Sequence, residues 1–444
     1  RPHDIPIILR PIMKKKTSPK TVLFILPAFM TVLSACGAPN ADNIPAAAEP
    51  PVQEEEPAPT EEELAAARYE ETVAPVLEEA FELAQGYYYE EALALLEEIP
   101  EEFSQEEEVL SAISTCTDAL DSFIPYDQPV RHIFFHSLIV DTSLAFDGDY
   151  MENGYNYWMT TVDEFHAILE ELYANQYILI DIHDLAEEQT DEDGNVTLTA
   201  AQPLVPEGKI PLVLSVDDVS YYDYMEHDGF PKKLVLDENG DVKNLYIHPD
   251  GTESIGDYDV MPILDTFVKE HPDFSLRGAK GIIAATGYEG TLGYRINDME
   301  SPTLEEDRQM VRTIADRLKE TGWLFASHGY GHKHTASISY NTLVEDTRRW
   351  KEEIAAYVGD TDIYIYPYGE EIDYPSQKLT CLQSEGFRYF CGVWASKAFV
   401  SVKDDYVRQT RCNLDGFTMI TRPQSVADLI DASGIVDPTR PELK

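Results

Sequence analysis

From about residue 127 onward, short apolar runs alternate with stretches whose apolar positions recur every three or four residues, which is the pattern of strands each followed by a helix. Arg131-His-Ile-Phe-Phe-His136-Ser-Leu-Ile-Val140 reads as a buried strand, and further strands are predicted at 177–182, 211–216, 281–286, 323–327, 362–366 and 387–393. Helices are predicted at 161–175, 259–270, 304–320, 342–358 and 375–385. Thr161-Val-Asp-Glu164 and Thr303-Leu-Glu-Glu306 have the form of capping boxes, and Gly359 ends the fourth helix. Lys233 to Ile247, with Asn239-Gly240 at its centre, reads as a β-hairpin closed by a type I′ turn. Repeated β-α units favour a parallel sheet, open or closed into a barrel, and in both the site collects at the carboxyl ends of the strands.

The chain before 127 has a different texture. Residues 62 to about 124 carry apolar positions at helical spacing, and Gly86 to Leu96 resembles part of a tetratricopeptide repeat. One such repeat cannot bury its own apolar face. Residues 64–126 are therefore read as a helical-hairpin spacer docked on a main domain of 127–444. The Pro, Ala and Glu stretch of 37–63 is read as an extended tether. Ahead of it, Met13-Lys-Lys-Lys16, the apolar run Val22 to Leu33 and Leu33-Ser-Ala-Cys36 read as an export signal over 1–36. Its end resembles the bacterial lipobox, in which the cysteine is lipidated, so Cys36 is the expected anchor and the outer face of the membrane the expected location. Residues 1–12 read as lying upstream of a start at Met13.

Charge narrows the partners. The chain has 444 residues and a net charge of −49, and Asp42 to Asp121 holds 24 acidic residues against one basic, Arg68. Nucleic-acid binding depends on clustered Lys and Arg and is excluded as a function class. Binding to anionic headgroups by charge is disfavoured too, which leaves the lipid as the only membrane contact; the protein is read as a monomer. Beyond Cys36 the cysteines are Cys116, Cys381, Cys391 and Cys412, without a CxxC pair. They read as buried thiols, with a Cys391–Cys412 bridge between neighbouring strands as the alternative.

Three predicted strands stop on chemistry. Pro211 to Val216 stops on Asp217-Asp218, Gly322 to Ser327 on His328-Gly-Tyr-Gly-His332, and the strand through Tyr364 on Tyr366-Pro367-Tyr368-Gly369. A carboxylate with two imidazoles is the ligand set of an open divalent-metal site. Adjacent aspartates point to opposite faces of a regular strand, but a turn at its end lets one ligate while the other takes a proton. Glycines at 329 and 331 argue for a tight loop, with His334 outside the metal shell. The 366–369 turn offers backbone N–H groups to developing negative charge, and its rings, with Tyr222 upstream, could stack on sugar.

In this order and at these strand ends, the elements resemble the NodB-type polysaccharide deacetylases, carbohydrate esterase family 4, over about residues 130 to 420. Ser215-Val-Asp217-Asp218-Val219 matches the family's first motif, His328 to His332 its second and Pro367-Tyr368-Gly369 its third. The resemblance implies a distorted (β/α) barrel, here preceded by the small α-helical spacer. It implies Asp217 as general base, Asp218, His328 and His332 as metal ligands and the Tyr368 backbone N–H as an oxyanion donor. No histidine follows His334, so the usual late acid motif is missing. Phe134-Phe135-His136-Ser137 looks like the opening of the poly-N-acetylglucosamine deacetylase branch, which makes His136 the acid. Val219 stands in place of a glycine, Gly329 in place of Ser or Thr, and Ile365 where many members carry an arginine that orients the base.

The expected function is metal-dependent removal of N-acetyl groups from an N-acetylglucosamine-containing polysaccharide at the cell surface. Zinc is the expected metal by ligand type, with cobalt and nickel also fitting. The alternatives are acetyl-ester hydrolysis at the same site, or a glycan-binding lipoprotein without turnover whose platform is Tyr221, Tyr222, Tyr224 and Trp323.

Overall fold

The computed structural model describes residues 59–394 and 398–443. Cys36, the export signal around it and most of the acidic tether lie outside them. Seven parallel strands form a closed ring in chain order: β1 (Arg131–Phe135), β2 (Ile210–Asp218), β3 (Ile282–Ala285), β4 (Leu324–Ser327), β5 (Ile363–Ile365), β6 (Tyr389–Val393) and β7 (Tyr406–Asn413). The ring closes through β7 on β1, where Cys412 pairs with Ile133, and through β2 on β3, where Asp217 pairs with Ala284. The fold is the expected (β/α) barrel, preceded by a helical region. A short strand at Tyr177–Leu179 adds to the first half of β2 and Val400–Lys403 runs antiparallel to β7.

Alternation along the strands sorts side chains into two layers. Ile133, Phe135, Leu212, Leu214, Val216, Ile283, Tyr364 and Phe390 face outward into one apolar layer beneath the helices. Val213, Ile282, Ala284, Ala326, Ile363, Ile365, Tyr389 and Val407 fill the barrel interior. Cys391 belongs to the interior and Cys412 to the outer layer, so although they sit on neighbouring strands they point to opposite sides of the wall. All four cysteines at 116, 381, 391 and 412 are free and buried.

Helices surround the barrel at Val162–Ala174, Val260–Glu270, Leu304–Glu320, Tyr340–Glu353 and Gln377–Ser384. Thr161 and Glu164 make the expected capping box. Thr303 does not: at φ −103° and ψ 8° its hydroxyl accepts no bond from a helix N–H and donates to the Asp307 carboxylate instead. The hairpin of Lys233–Leu236 and Val242–Ile247 is closed by the longer loop 237–241, not a type I′ turn: Gly240 takes φ +78° and Asn239 does not share it.

The region before the barrel holds four helices, not a hairpin: Glu61–Thr72, Ala74–Gln85, Tyr89–Glu97 and Glu107–Asp121. The first begins inside the stretch read as tether, because Thr60 and Glu63 form a capping box. The module docks through the turn at 86–87. Gly86 accepts from the Arg277 N–H at 3.0 Å and the Tyr87 hydroxyl donates to the Asp273 carbonyl at 3.0 Å. Those contacts lie ahead of β3, at the amino ends of the strands, which leaves the opposite end open. No helix among the described residues is long and apolar enough to cross a membrane.

Candidate active site

At the carboxyl end of β2 the chain turns through two residues that are not glycine, Asp218 at φ +69° and Val219 at φ +51°. The left-handed region costs an L-residue about 1–2 kcal/mol, and Val219, fully buried, carries that cost without a glycine. The turn separates the two aspartates. Asp217 stays on the inner face of the barrel, while Asp218 swings toward the loop after β4.

That loop supplies the histidines. His328 is buried and its Nδ1 lies 2.8 Å from the Ile365 carbonyl, a contact that makes Nδ1 the donor and leaves Nε2 as the free acceptor. His332 sits at φ +46° in an irregular loop, as the flanking glycines predict. The loop is held by a residue the sequence did not single out. Asp346, on the helix Tyr340–Glu353, accepts from the N–H groups of Tyr330 at 2.8 Å and Gly331 at 3.0 Å and pairs with Lys333 at 3.1 Å. A Cβ on Gly329 would stand 3.0 Å from the Asp346 carboxylate, so a Ser or Thr at 329 would crowd it.

One ligand atom from each of Asp218, His328 and His332 lies within 4.8 Å of the others. Asp218 Oδ1 is 3.4 Å from His332 Nε2 and 3.8 Å from His328 Nε2, and it is buried with no hydrogen-bond partner. An orphaned carboxylate oxygen facing two imidazole nitrogens fits a divalent cation. Burial pushes the His328 imidazole down to about 4, which keeps it neutral as a ligand must be.

Asp217 is held by a partner from β7, the strand that flanks β1 on the other side. Arg411, on β7, donates from Nη1 to Oδ1 at 2.6 Å and from Nη2 to Oδ2 at 2.9 Å, both side chains being essentially inaccessible. Burial alone would raise the Asp217 carboxyl, but the Arg411 charge outweighs it and the group stays well below the usual carboxylate range. The same guanidinium lies 4.1 Å over the Phe134 ring and donates to Ser215 at 3.1 Å. Ser215 in turn meets His132 Nε2 at 2.8 Å, and His132 Nδ1 meets Gln409 at 2.9 Å. A polar column from β1, β2 and β7 thus rises through the barrel to the aspartate. The departure at Ile365 therefore does not leave the aspartate without an arginine. Ile365 packs in the interior, and the guanidinium arrives from β7.

His136 lies just beyond β1, its ring 5.8 Å from that of Phe134. It is close enough to act electrostatically on both Asp217 and Asp415, and its Nδ1 is buried without a partner. Tyr368 is exposed, with φ +59°; its ring lies 4.6 Å from His332 and stacks 3.8 Å from His334. His334 pairs with Glu370 at 3.1 Å, apart from the three-ligand cluster.

Several residues expected to touch sugar do not face the site. Tyr366 is fully buried, points outward from the end of β5 into the layer beneath the helices and bonds the Tyr374 hydroxyl at 2.6 Å; Pro367 is buried as well. Tyr221 bonds Asp259 at 2.6 Å inside the core and Trp323 bonds Asp265 at 2.9 Å, so neither belongs to a platform. Tyr222 is largely buried and its hydroxyl faces Asp218, which makes it a neighbour of the ligand set more than a surface for sugar. Tyr224, stacked 5.3 Å from Tyr222, and Tyr288 are the exposed rings on that wall.

Residues 294–390 match the family model described as polysaccharide deacetylase, a stretch that includes both histidines and the 366–369 turn but not Asp217, Asp218 or Arg411. No curated protein matches the chain. Among solved structures, the Streptococcus pyogenes deacetylase PplD in complex with acetate is 12% identical, with 69% of this chain and 99% of that one covered and a TM-score of 0.38. The BA0330 protein of Bacillus anthracis is 13% identical over 68% of this chain and 69% of its own, with a TM-score of 0.39. The chitin deacetylase of the fungus Colletotrichum lindemuthianum is 14% identical over 40% and 78%, with a TM-score of 0.23.

Proposed function

For a chain that carries a polysaccharide deacetylase domain, we propose a metal-dependent hydrolase that removes N-acetyl groups from an N-acetylglucosamine-containing glycan. The observation that carries the reading is the pair of adjacent aspartates turned apart, Asp218 toward two imidazoles and Asp217 onto Arg411. A divalent metal held by Asp218, His328 and His332, zinc by ligand type, would supply Lewis acidity toward the acetyl carbonyl and the attacking water. Asp217, kept ionised and fixed in direction by the two Arg411 bonds, accepts the proton of that water. The Tyr368 backbone N–H faces the negative charge that develops on the carbonyl oxygen. His136, whose Nδ1 is buried without a partner just beyond the end of β1, returns a proton to the leaving amine.

Acetate release from N-acetylglucosamine oligomers, measured with zinc added and with metal chelated, tests the reading. Release that depends on zinc supports it; zinc-dependent release from acetyl esters alone would move the activity to ester hydrolysis. The reading without turnover would rest on the departures at Val219 and Ile365; the arginine that reaches Asp217 from β7 and the left-handed turn formed at 218–219 favour turnover.

The location belongs to the same proposal. Lipidation at Cys36 would hold the enzyme on the outer face of the membrane behind an acidic stretch, where its glycan substrate is the only partner required. Lipid labelling, with sequencing of the mature N-terminus, tests it; an unlipidated protein beginning elsewhere would refute the anchor.

A further inference from the structure

We infer that His132, Ser215 and Gln409 form a one-way chain of hydrogen bonds that anchors the Arg411–Asp217 pair to the barrel wall, which makes all three positioning residues for the reaction at the strand ends; the inference rests on the deacetylase reading above. Each is 1% exposed or less, so none can touch a substrate. They come from β1, β2 and β7, which are neighbours in the ring.

The chain has one direction because each hydrogen has one place to go. Gln409 Nε2 donates to the Val130 carbonyl at 3.2 Å, which turns Oε1 toward His132 Nδ1 at 2.9 Å. An amide oxygen only accepts, so Nδ1 carries the hydrogen. Burial, with the Arg411 charge adding to it, pushes the His132 imidazole down to about 3, so the ring is neutral and Nε2 is a bare acceptor. Ser215 Oγ, 2.8 Å from that nitrogen, therefore donates to it and turns its lone pairs to Arg411 Nη1 at 3.1 Å. Reversing any one of these bonds would set two hydrogens or two lone pairs face to face.

The two bonds between Arg411 and Asp217 fix each group to the other, but the pair can still rock together about its side-chain torsions. Among the described residues, Asp217 and Ser215 are the hydrogen-bond partners of the guanidinium, whose Nε has none. The Phe134 ring, 4.1 Å away, limits approach from one side without directing any N–H. Ser215 is thus the directional contact that ties the pair to the wall. Asp217 Oδ2 lies 3.8 Å from His328 Nε2, so where the pair sits sets the distance between the proton acceptor and the ligand set. Elsewhere the interior is filled by apolar side chains such as Val213, Ile363 and Ile365. A polar chain in that setting is costly unless every member is satisfied, and this one ends on the reacting carboxylate.

Ser215→Ala removes the anchor and Ser215→Thr keeps the hydroxyl. Ser215→Ala should lower kcat for acetate release by roughly 10- to 100-fold, the scale on which a displacement of about 1 Å acts, with KM and zinc content as in wild type. Ser215→Thr should retain most of kcat, and His132→Phe should act in the same direction as Ser215→Ala. A Ser215→Ala protein that is less stable to urea but turns over at the wild-type rate when folded would make the role structural only and overturn the inference. Crystal structures of the two Ser215 variants read the anchor without turnover: the Arg411–Asp217 pair should move in Ser215→Ala and stay in place in Ser215→Thr. A pair that stays in place in both overturns the inference, as does nitrogen-15 NMR that finds the His132 hydrogen on Nε2. A pair that moves only in Ser215→Ala, in a protein that releases no acetate, would refute the deacetylase reading and leave the anchor standing.

Discussion

Arg411 holds both carboxylate oxygens of Asp217, at 2.6 and 2.9 Å, across the barrel interior from the strand that closes the ring. The guanidinium and the carboxylate are both shut away from water, so each is the condition for the other's burial. Arg411→Met should therefore destabilise the protein by roughly 3–5 kcal/mol, the usual cost of leaving one member of a buried pair alone. Arg411→Lys should recover part of that stability but little activity, because a point charge cannot fix the carboxylate's direction as two bonds do. Urea unfolding of both variants beside acetate release checks the pair. Wild-type stability in Arg411→Met would mean that Asp217 does not need its counter-charge.

The metal triad predicts a separable loss. His332→Ala should abolish stoichiometric zinc binding and leave the fold intact, since His332 lines an open loop. His328→Ala should lose zinc and also some stability, because the Nδ1 contact to Ile365 is lost inside the barrel. Asp346→Ala ligates nothing but frees the N–H groups of Tyr330 and Gly331, so zinc affinity should fall without vanishing. Metal content after dialysis and zinc titration distinguish the three, and unchanged zinc content in both histidine variants would move the site elsewhere.

His136→Ala should lower kcat by roughly 10² to 10⁴, the span of general acid catalysis, with zinc still bound. Asp217→Asn should do the same through loss of the proton acceptor. A His136 variant that turns over at the wild-type rate would assign the acid to another group and leave His136 as a strand-end residue.

At the amino ends of the strands, His183 lies between two carboxylates, Asp181 at 2.6 Å and Asp362 at 3.1 Å. Burial alone would lower its pKa, but the two carboxylates dominate and raise it from 6.5 to about 10. A raised folded-state value means that this contribution to stability is fully present below about pH 6.5 and is lost as pH climbs toward 10. The stability advantage of wild type over His183→Gln should accordingly shrink across that window, read from urea midpoints at pH 6, 8 and 10. A difference that stays constant would show that His183 does not hold its proton between the carboxylates.

Six of the seven ring strands, most helices and the chemistry at three strand ends were legible in the chain because each is local. An apolar run of five residues, a Thr–Glu capping pair or two aspartates after a strand carries its meaning within a few positions. Such patterns also located Asp218, His328 and His332, which converge because a (β/α) barrel sends all its strand ends to one face. What was misread depends on direction. Tyr366 and Pro367 sit in the right turn, yet alternation along β5 sends the Tyr366 ring outward under the helices. Cys391 and Cys412, by contrast, are the buried thiols the sequence suggested: they occupy neighbouring strands but opposite sides of the wall, so the alternative bridge is not made.

What only the tertiary structure decided is which distant residue completes each local one. Tyr406 to Asn413 reads as a polar segment, yet it is the strand that closes the ring, and its inward positions are Val407, Gln409 and Arg411. The same alternation that marks an apolar strand was present there, hidden because its inner face is polar. Arg411 lies 194 residues from Asp217 and Asp346 lies 14 from His332 on a different element. Neither pairing has a local signature, since a charge pair is fixed by distance in space and the chain records only distance along itself. The sequence by itself determined the kinds of groups and the ends of the strands that present them; closure of the barrel decided which of them meet.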